Sequence, residues 1–302
     1  MNDLASVSSI TVALAYRPPY NWDAMLGFLR ARAVEGLEHC DDYQYQRTFE
    51  ANGHLGIVSI CADQAKHAVI ATIQVTKALS ISPIAKRVQM LLDVDADMQA
   101  IESTLNADER LKRLTDMEGV RVPGAWDPFE LGVRAILGQQ VTVGAARTLV
   151  GRLCSAFGRR IDDEESETFA HLFPTPDALA EAEIEIIGVP RRRADGVRAL
   201  ARAVASGDLQ LDPRADAQAV GNQLRALPGI GNWTVKYMRM RAFKDPDAFP
   251  AEDVALVKAA RSLDIASSVS ELQQAAERWR PWRAYAAVRL WRSLHATQSA
   301  AT

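Results

Sequence analysis

A glycine-containing turn between two helical patterns constrains this chain more than any other stretch. Residues 227–234 read Leu-Pro-Gly-Ile-Gly-Asn-Trp-Thr, with apolar positions at helical spacing before and after them. Gly229 and Gly231 allow positive φ values and a close approach of the main chain to a partner. The first N–H groups of the second helix have no acceptors within that helix, and such groups bind anions, phosphate among them. The sequence therefore predicts a helical hairpin whose turn faces a phosphate.

A carboxylate follows the hairpin at a set distance. Asp253 lies twenty residues after Trp233 and ends the loop 246–253. A hairpin of this sequence, a second helix and a loop that ends in Asp resemble the helix-hairpin-helix DNA glycosylase superfamily. The alternative is a helix corner followed by an acid that only caps the next helix. The combination of the hairpin with Asp253 favours the glycosylase interpretation.

Composition limits how the chain can bind DNA and where it can work. With a net charge of −3, DNA binding requires a local basic or dipolar surface rather than an overall positive charge. The three cysteines are far apart and none follows Asp253, which excludes a disulfide framework and the iron–sulfur branch of the superfamily. Without a signal peptide or a long apolar run, we expect a cytoplasmic protein, nucleoid-associated when bound to DNA, with no membrane partner.

Periodicity divides the chain into a mixed N-terminal part and a helical remainder. Helical spacing predicts a helix over 22–35. Alternating apolar residues predict strands over 10–16, 43–51, 55–61 and 68–75. This β-α-β-β-β order indicates an antiparallel sheet with a helix on one face, and after Asp93 no strand pattern returns. We therefore expect an α+β fold, with an N-terminal antiparallel β-sheet plus helix domain followed by helices only.

Further stretches extend the resemblance over nearly the whole chain. They are the sequences at 18–22, 25–29, 133–139 and 279–285. Together with the hairpin they are similar to the bacterial 3-methyladenine DNA glycosylase II family, the inducible alkylbase glycosylases. The resemblance implies two all-helical domains of the helix-hairpin-helix glycosylase type, with the active site in the cleft between them. The domains it implies are a mixed α/β domain at 1–95, a helical domain with the hairpin at 125–245, and a second helical domain formed by 96–124 and 246–302.

The resemblance gives Asp253 the catalytic role, ahead of its neighbour Glu252. A glycosylase flips the base out of the duplex, and the sugar becomes positively charged as the bond to the base breaks. A fixed carboxylate stabilises that charge and can orient or deprotonate the attacking water. Relatives that also cut the DNA backbone carry Lys two residues after the last glycine of the hairpin. Here that residue is Trp233, which cannot form a Schiff base, so a monofunctional enzyme is implied. Lys236 is the nearest amine, and we expect it to bind phosphate.

Aromatic residues predict a pocket for an electron-poor base. Trp233 and Tyr237 are one helical turn apart, so both can face one cleft. The resemblance adds Trp291 and Phe28 to this pocket, while core packing is the alternative role for all four. Alkylated purines carry positive charge, which aromatic rings attract. The family has a bulky apolar residue two positions after the catalytic Asp, and Ala255 at that place predicts a wider pocket.

The resemblance also assigns DNA contacts. The side chain that fills the gap left by a flipped base follows the Gly-Gln of the Ile-Leu-Gly-Gln loop, which here makes it Gln140 where close relatives have Leu. A solvated loop is the alternative for Gln140. Hairpin contacts with DNA fall on Gly229, Gly231 and Thr234. The family site for a monovalent cation, Na⁺ or K⁺, that bridges to phosphate falls on the main-chain carbonyls of Arg225, Leu227 and Ile230, and no other cofactor is expected.

These features predict a monofunctional DNA glycosylase of base excision repair. We expect it to act as a monomer on double-stranded DNA with damaged bases, to remove alkylated, cationic purines of the 3-methyladenine type, and to leave an abasic site. One alternative is a glycosylase for oxidised or deaminated bases. The other is a non-catalytic helix-hairpin-helix module that binds DNA, against which Asp253 and the aromatic residues argue.

Overall fold

A five-stranded antiparallel sheet forms the N-terminal part of the protein. The computed structural model describes residues 8–75, 80–161 and 168–299. The strands are β1 (Ser8–Ala15), β2 (Glu38–Cys40), β3 (Gln44–Ala51), β4 (His54–Asp63) and β5 (Ala68–Val75). Their order in the sheet is β1-β5-β4-β3-β2, and every neighbouring pair is antiparallel. The four predicted strands are confirmed. The short strand β2, which pairs only with β3, was missed because three residues are too few to display an alternation.

One face of this sheet is covered by two helices. They are α1 (Trp22–Arg32) and α2 (Ser82–Leu92). Asn21 begins α1 by accepting a hydrogen bond from the main-chain N–H of Ala24 at 2.9 Å. The apolar face of α1, with Trp22 and Leu26, packs with Tyr45 and other sheet residues in one hydrophobic cluster. The predicted helix over 22–35 is confirmed but ends at Arg32.

Helices make up the rest of the chain, as predicted, and among the described residues no named strand follows β5. In chain order they are α3 (Met98–Leu105), α4 (Glu109–Lys112), α5 (Pro128–Leu137), α6 (Val143–Phe157), α7 (Pro176–Ala180), α8 (Arg191–Ala205), α9 (Ala217–Ala226), α10 (Asn232–Ala242), α11 (Val254–Ser262), α12 (Val269–Ala276) and α13 (Arg283–Ser299). Short 3-10 turns cover Ile184–Ile187 and Glu277–Trp279. Within the described ranges, none of these helices combines the length and the hydropathy that a membrane span requires.

The helix α10 lies between two hydrophobic cores. Val235 and Met238 pack with residues of α5, α6, α8 and α9 in one core. Met240 packs in the other core, which contains Met98 of α3 and Trp279 together with residues of α11, α12 and α13. The second helix of the hairpin therefore lies between these two cores, where the family resemblance implies a cleft. The domain boundaries given above stay a prediction.

Buried charges connect the sheet to α5. Arg47 of β3 contacts Glu130 of α5 at 2.8 Å, and Arg134 of α5 contacts Glu38 of β2 at 2.7 Å. Arg134 also donates to Glu130 from Nε at 2.9 Å, and the Tyr45 hydroxyl donates to Glu38. Removal of one partner from a buried network of this kind leaves an uncompensated charge, at a cost of about 3–5 kcal/mol. The position of α5, and of the loop that follows it, is therefore tied to the sheet.

Candidate active site

Asp253 is the N-cap residue of α11. Its Oδ1 accepts a hydrogen bond from the main-chain N–H of Leu256 at 2.9 Å. Asp253 therefore does cap the helix, as the alternative interpretation expects. This hydrogen bond uses only one of the acceptor positions of the carboxylate. Asp253 is half-buried, so the carboxylate is not sealed from solvent.

Two indole groups bind the rest of this carboxylate. Trp233 of α10 donates from Nε1 to Oδ2 of Asp253 at 2.7 Å. Trp291 of α13 donates from Nε1 to Oδ1 at 3.0 Å. A carboxylate has about four acceptor positions, so the three N–H donors leave roughly one, on Oδ2. Three helices thus converge on one carboxylate and hold it in a single orientation.

The predicted pocket residues Trp233, Tyr237 and Trp291 lie together beside Asp253. The rings of Trp233 and Tyr237 are stacked, with centroids 4.9 Å apart and an angle of 13° between their planes. Tyr237 meets Trp291 edge-on, with centroids 6.2 Å apart. Because Trp233 and Tyr237 are in direct contact, a base cannot enter between them and must stack on a free ring face or edge.

Phe28 meets arginines rather than the other aromatic rings. The guanidinium carbon of Arg32 is 3.7 Å from the centroid of the Phe28 ring, and that of Arg241 is 4.8 Å from it. Arg241 also lies 5.1 Å from the centroid of Tyr237 and donates a hydrogen bond to its hydroxyl. Arg241 therefore connects Phe28 to Tyr237. The ring of Phe28 already contacts two guanidinium groups, those of Arg32 and Arg241.

These guanidinium groups change the electrostatics of the pocket. Burial raises the pKa of Tyr237, but the nearby charges of Arg241 and Arg32 outweigh this effect and the pKa is lowered. Burial likewise lowers the pKa of Arg32. Sequence reasoning missed both arginines, although each follows its aromatic partner by four residues on one helix and so lies on the same face. Trp233, Tyr237 and Trp291 thus form an aromatic cluster with positive charge beside Tyr237, and the use of this cluster as a base pocket stays a prediction.

The carboxylate next to Asp253 has a different partner. Glu252 accepts hydrogen bonds from Lys236 Nζ at 2.9 and 3.0 Å. Lys236 is therefore neutralised by an acid, and its expected phosphate contact would have to compete with this pair. The two adjacent acids are separated by their partners, with Glu252 bound to an amine and Asp253 bound to indoles.

The two hairpin glycines have different backbone conformations. Gly229 has a φ of +81°, and a Cβ there would lie 3.0 Å from Cα of Gly196 in α8. Gly231, the N-cap of α10, has a φ of −91° and a ψ of 176°, so positive φ is needed only at Gly229. No side chain caps the N–H groups at this helix start, and Gly231 and Asn232 are exposed. The N-terminus of α10 is thus open to solvent, as an anion site requires.

Gln139 joins the hairpin to the loop between α5 and α6. Its Nε2 donates to the carbonyl of Gly229 at 3.0 Å and to Oγ1 of Thr234 at 3.1 Å. Arg193 of α8 donates to the carbonyl of Gln139 at 2.6 Å. Thr234 is only 1% exposed, so it supports the hairpin from within, and its expected contact with DNA stays a prediction. The roles of Gln139 and Arg193 were not recognised in the sequence.

Gln140 stands at the tip of the same loop. Its φ is +57°, in the left-handed region, and its side chain is exposed. Val141 beside it is also exposed, at 37%. This geometry suits a side chain that projects outward. The role of Gln140 in filling the gap left by a flipped base stays a prediction.

The carbonyl of Arg225 lies in the last turn of α9, and those of Leu227 and Ile230 lie in the turn between α9 and α10. The carbonyl of Leu227 accepts a hydrogen bond from the N–H of Ile230 at 3.3 Å and keeps one acceptor position. Neutral carbonyl oxygens fit a monovalent cation better than a transition metal. Among the described residues, no group of three or more His, Cys, Asp or Glu side chains could hold a metal ion.

Comparison with known proteins places these features in a family. Residues 11–127 match the model of the AlkA N-terminal domain, and residues 133–284 match that of the HhH-GPD superfamily base excision DNA repair protein. DNA-3-methyladenine glycosylase 2 of Escherichia coli is 34% identical over 92% of this chain and 95% of that protein. A Mycobacterium tuberculosis protein described as "Probable bifunctional transcriptional activator/DNA repair enzyme AlkA" is 38% identical over 96% of this chain, which spans 58% of the length of that relative.

A solved structure shares the fold. The 3-methyladenine DNA-glycosylase from Archaeoglobus fulgidus superposes with a TM-score of 0.78 over 93% of this chain and 97% of that one, at 18% identity. The α+β fold expected from the sequence is confirmed by this likeness and by the two family models. The chain belongs to the HhH-GPD superfamily of base excision DNA repair proteins.

Proposed function

We propose that this protein is a monofunctional DNA glycosylase that hydrolyses the N-glycosidic bond of alkylated purines and leaves an abasic site. The observation that carries the proposal is the Asp253 carboxylate, which Trp233 and Trp291 hold at the edge of an aromatic cluster. The name of the Escherichia coli relative, DNA-3-methyladenine glycosylase 2, supports the same activity.

Asp253 supplies the charge that the reaction needs. When the bond between C1′ and the base nitrogen breaks, positive charge develops on the sugar. A carboxylate that is already oriented stabilises this charge without reorganisation during the reaction. The acceptor position left on Oδ2 can take a hydrogen bond from the attacking water. Trp233 has no amine to attack C1′, so the products are the free base and an abasic site in an uncut strand.

The proposed partner is double-stranded DNA with a damaged base, bound by a monomer. The open N-terminus of α10, at the exposed residues Gly231 and Asn232, would bind phosphate, with Thr234 buried behind them. The turn at Gly229, which has no side chain, allows the main chain of the hairpin to come close to the DNA. Gln140 would fill the gap left by the flipped base. A monovalent cation held by the carbonyls of Arg225, Leu227 and Ile230 would add a positive charge at the same phosphate.

Base release is the direct test of this function. Duplexes that contain 3-methyladenine, hypoxanthine or 8-oxoguanine are incubated with the protein, and the released base is quantified. We expect release of 3-methyladenine, and loss of that release in Asp253→Asn with duplex binding retained, since the carboxylate acts on transition-state charge. Asp108→Asn is the matched control, because Asp108 also caps a helix and also accepts an indole N–H, from Trp279. Normal base release by Asp253→Asn would refute the assignment.

The arginines of the pocket favour a second candidate, a glycosylase for deaminated bases. The charges of Arg32 and Arg241 beside Tyr237 oppose a cationic purine, whereas they suit a neutral base with a carbonyl oxygen, such as hypoxanthine. The same assay compares the two, and faster release of hypoxanthine than of 3-methyladenine would select this candidate. Arg32→Gln, which removes one charge, should then shift the preference toward the cationic base.

A further inference from the structure

We infer that Trp233 and Trp291 are positioning residues for Asp253, through their indole N–H groups and apart from any stacking on the base. This inference rests on the proposed function. It assigns to two pocket residues a role that ring chemistry alone does not give, namely the fixed orientation of the carboxylate toward the reacting sugar.

The geometry gives each carboxylate oxygen its own indole. Trp233 Nε1 lies 2.7 Å from Oδ2, and Trp291 Nε1 lies 3.0 Å from Oδ1. The N–H of Leu256 adds a third donor, at 2.9 Å from Oδ1. Rotation of the carboxylate about its Cβ–Cγ bond would break all of these hydrogen bonds together. The acceptor position that remains on Oδ2 therefore has one direction only.

The donor on α10 is itself held in place. Tyr237 stacks on the Trp233 ring at 4.9 Å between centroids, and its hydroxyl accepts a hydrogen bond from Arg241. Arg241 is buried and donates to the carbonyls of Pro123 and Gly124 at 2.7 and 2.8 Å. A continuous chain of contacts thus runs from the segment before α5 through Arg241, Tyr237 and Trp233 to Asp253. The carboxylate is oriented by a rigid support rather than by a mobile side chain.

An ordinary buried indole also finds a hydrogen-bond partner, so one such bond is not evidence of a role. Trp279 is the example in this protein, since it is fully buried and donates to Asp108 at 2.9 Å. At Asp253 two indoles from two different helices meet one half-buried carboxylate, one on each oxygen. That convergence distinguishes the site from the single bond at Asp108.

Substitution by Phe separates the two roles, because it keeps an aromatic ring and removes the N–H. Trp233→Phe and Trp291→Phe should each lower the single-turnover rate of base release by about 10–100-fold, the scale of a small misplacement of a catalytic group. The half-saturating DNA concentration should change by less than about 3-fold, since phosphate contacts dominate affinity. Trp233→Leu removes the ring as well and should also weaken binding of the lesion duplex. Trp279→Phe, the matched control, should keep the wild-type rate at a temperature where it is folded.

The split between rate and affinity provides a readout that stacking alone would not move. Loss of a ring that only stacks on the base should raise the half-saturating concentration of the lesion duplex along with any loss of rate. Loss of a donor to Asp253 should lower the rate at saturating DNA and leave that concentration nearly unchanged, and Trp279→Phe should change neither. Both parameters are measured on the 3-methyladenine and hypoxanthine duplexes at fixed ionic strength.

The outcomes separate this inference from the function on which it rests. If the wild type releases base and both Phe variants keep its rate at saturating DNA, the positioning role is wrong and the glycosylase function stands. If the wild type releases no base from any duplex, the proposed function fails, and the positioning role with it. A loss of rate matched by an equal rise in the half-saturating DNA concentration would show that Trp233 and Trp291 only line the pocket, and would refute their role as donors to Asp253.

Discussion

Gly231 allows protein stability and DNA binding to be changed in opposite directions. It is the N-cap of α10, its φ of −91° and ψ of 176° suit any residue, and no side chain caps the helix. A Cβ built there meets nothing within 4 Å. Gly231→Asp and Gly231→Asn therefore fit without strain. Both new side chains can accept hydrogen bonds from the N–H groups at the start of α10.

The two variants differ by one negative charge, which determines the expected magnitudes. Capping by Asp or Asn in place of Gly should raise the free energy of unfolding by a few tenths of a kcal/mol. The interaction of Asp with the helix dipole should raise it further, by about 0.3–1 kcal/mol. If the helix start binds phosphate, the Asp carboxylate occupies that site about 4 Å from the phosphate charge. Repulsion at that distance costs about 1–4 kcal/mol for effective dielectric constants of roughly 80 to 20. DNA binding by Gly231→Asp should therefore weaken by roughly 5-fold to 1000-fold, although the protein is more stable.

Urea unfolding and fluorescence anisotropy test this expectation together. The Asp variant should unfold at higher urea than the wild type and bind undamaged and lesion duplexes more weakly by the same factor, because phosphate contacts do not specify the base. The Asn variant should also be stabilised and should lose less affinity than the Asp variant at the same salt concentration, because it competes for the N–H groups without adding a charge. Wild-type affinity in Gly231→Asp would refute a phosphate contact at the start of α10. A changed preference among lesions would show that Gly231 faces the base instead.

Three further predictions concern the hairpin and its surroundings. Gly229→Ala should destabilise the protein by about 1–3 kcal/mol in urea unfolding, since its φ is +81° and the added Cβ would meet Cα of Gly196; an unchanged midpoint would contradict the strain argument. Because position 233 holds Trp, borohydride should trap no covalent complex with DNA, and a band at the mass of protein plus DNA in a denaturing gel would overturn the monofunctional assignment. Gln140→Ala should lose about 1–3 kcal/mol of binding to a duplex with an abasic analogue, and much less on undamaged DNA. Gln140→Leu should recover most of that loss, whereas tight binding by Gln140→Ala would mean that another residue fills the gap.

Local spacing was sufficient to predict the elements of the site that lie close together in sequence. The hairpin and its second helix could be predicted from one continuous stretch, and the family resemblance singled out Asp253, but the hydrogen bond from Trp233 to this carboxylate was not predicted. The helical remainder and four of the five strands were also predictable, because each contains a long enough run of regularly spaced apolar residues.

The parts that could not be predicted depend on contacts between distant segments. Arg241 is held by the carbonyl of Pro123, which lies 118 residues earlier, and Gln139 binds the carbonyl of Gly229, 90 residues later. In the sequence, Gln139 looks like a polar residue that ends an apolar stripe, and Arg241 looks like an ordinary charge in the last turn of a helix. Only the packing of α5 and α10 against each other gives either side chain its partner.

The buried charges between the sheet and α5 make each element depend on side chains of the other. Glu130 and Arg134 pair with each other and also with Arg47 and Glu38, which lie on the strands. A substitution of Arg47 or Glu38 alone leaves a charge of α5 buried without one of its partners, on the helix that leads into the Gln139 loop. A single change in the sheet can thus affect the loop whose Gln139 binds the hairpin.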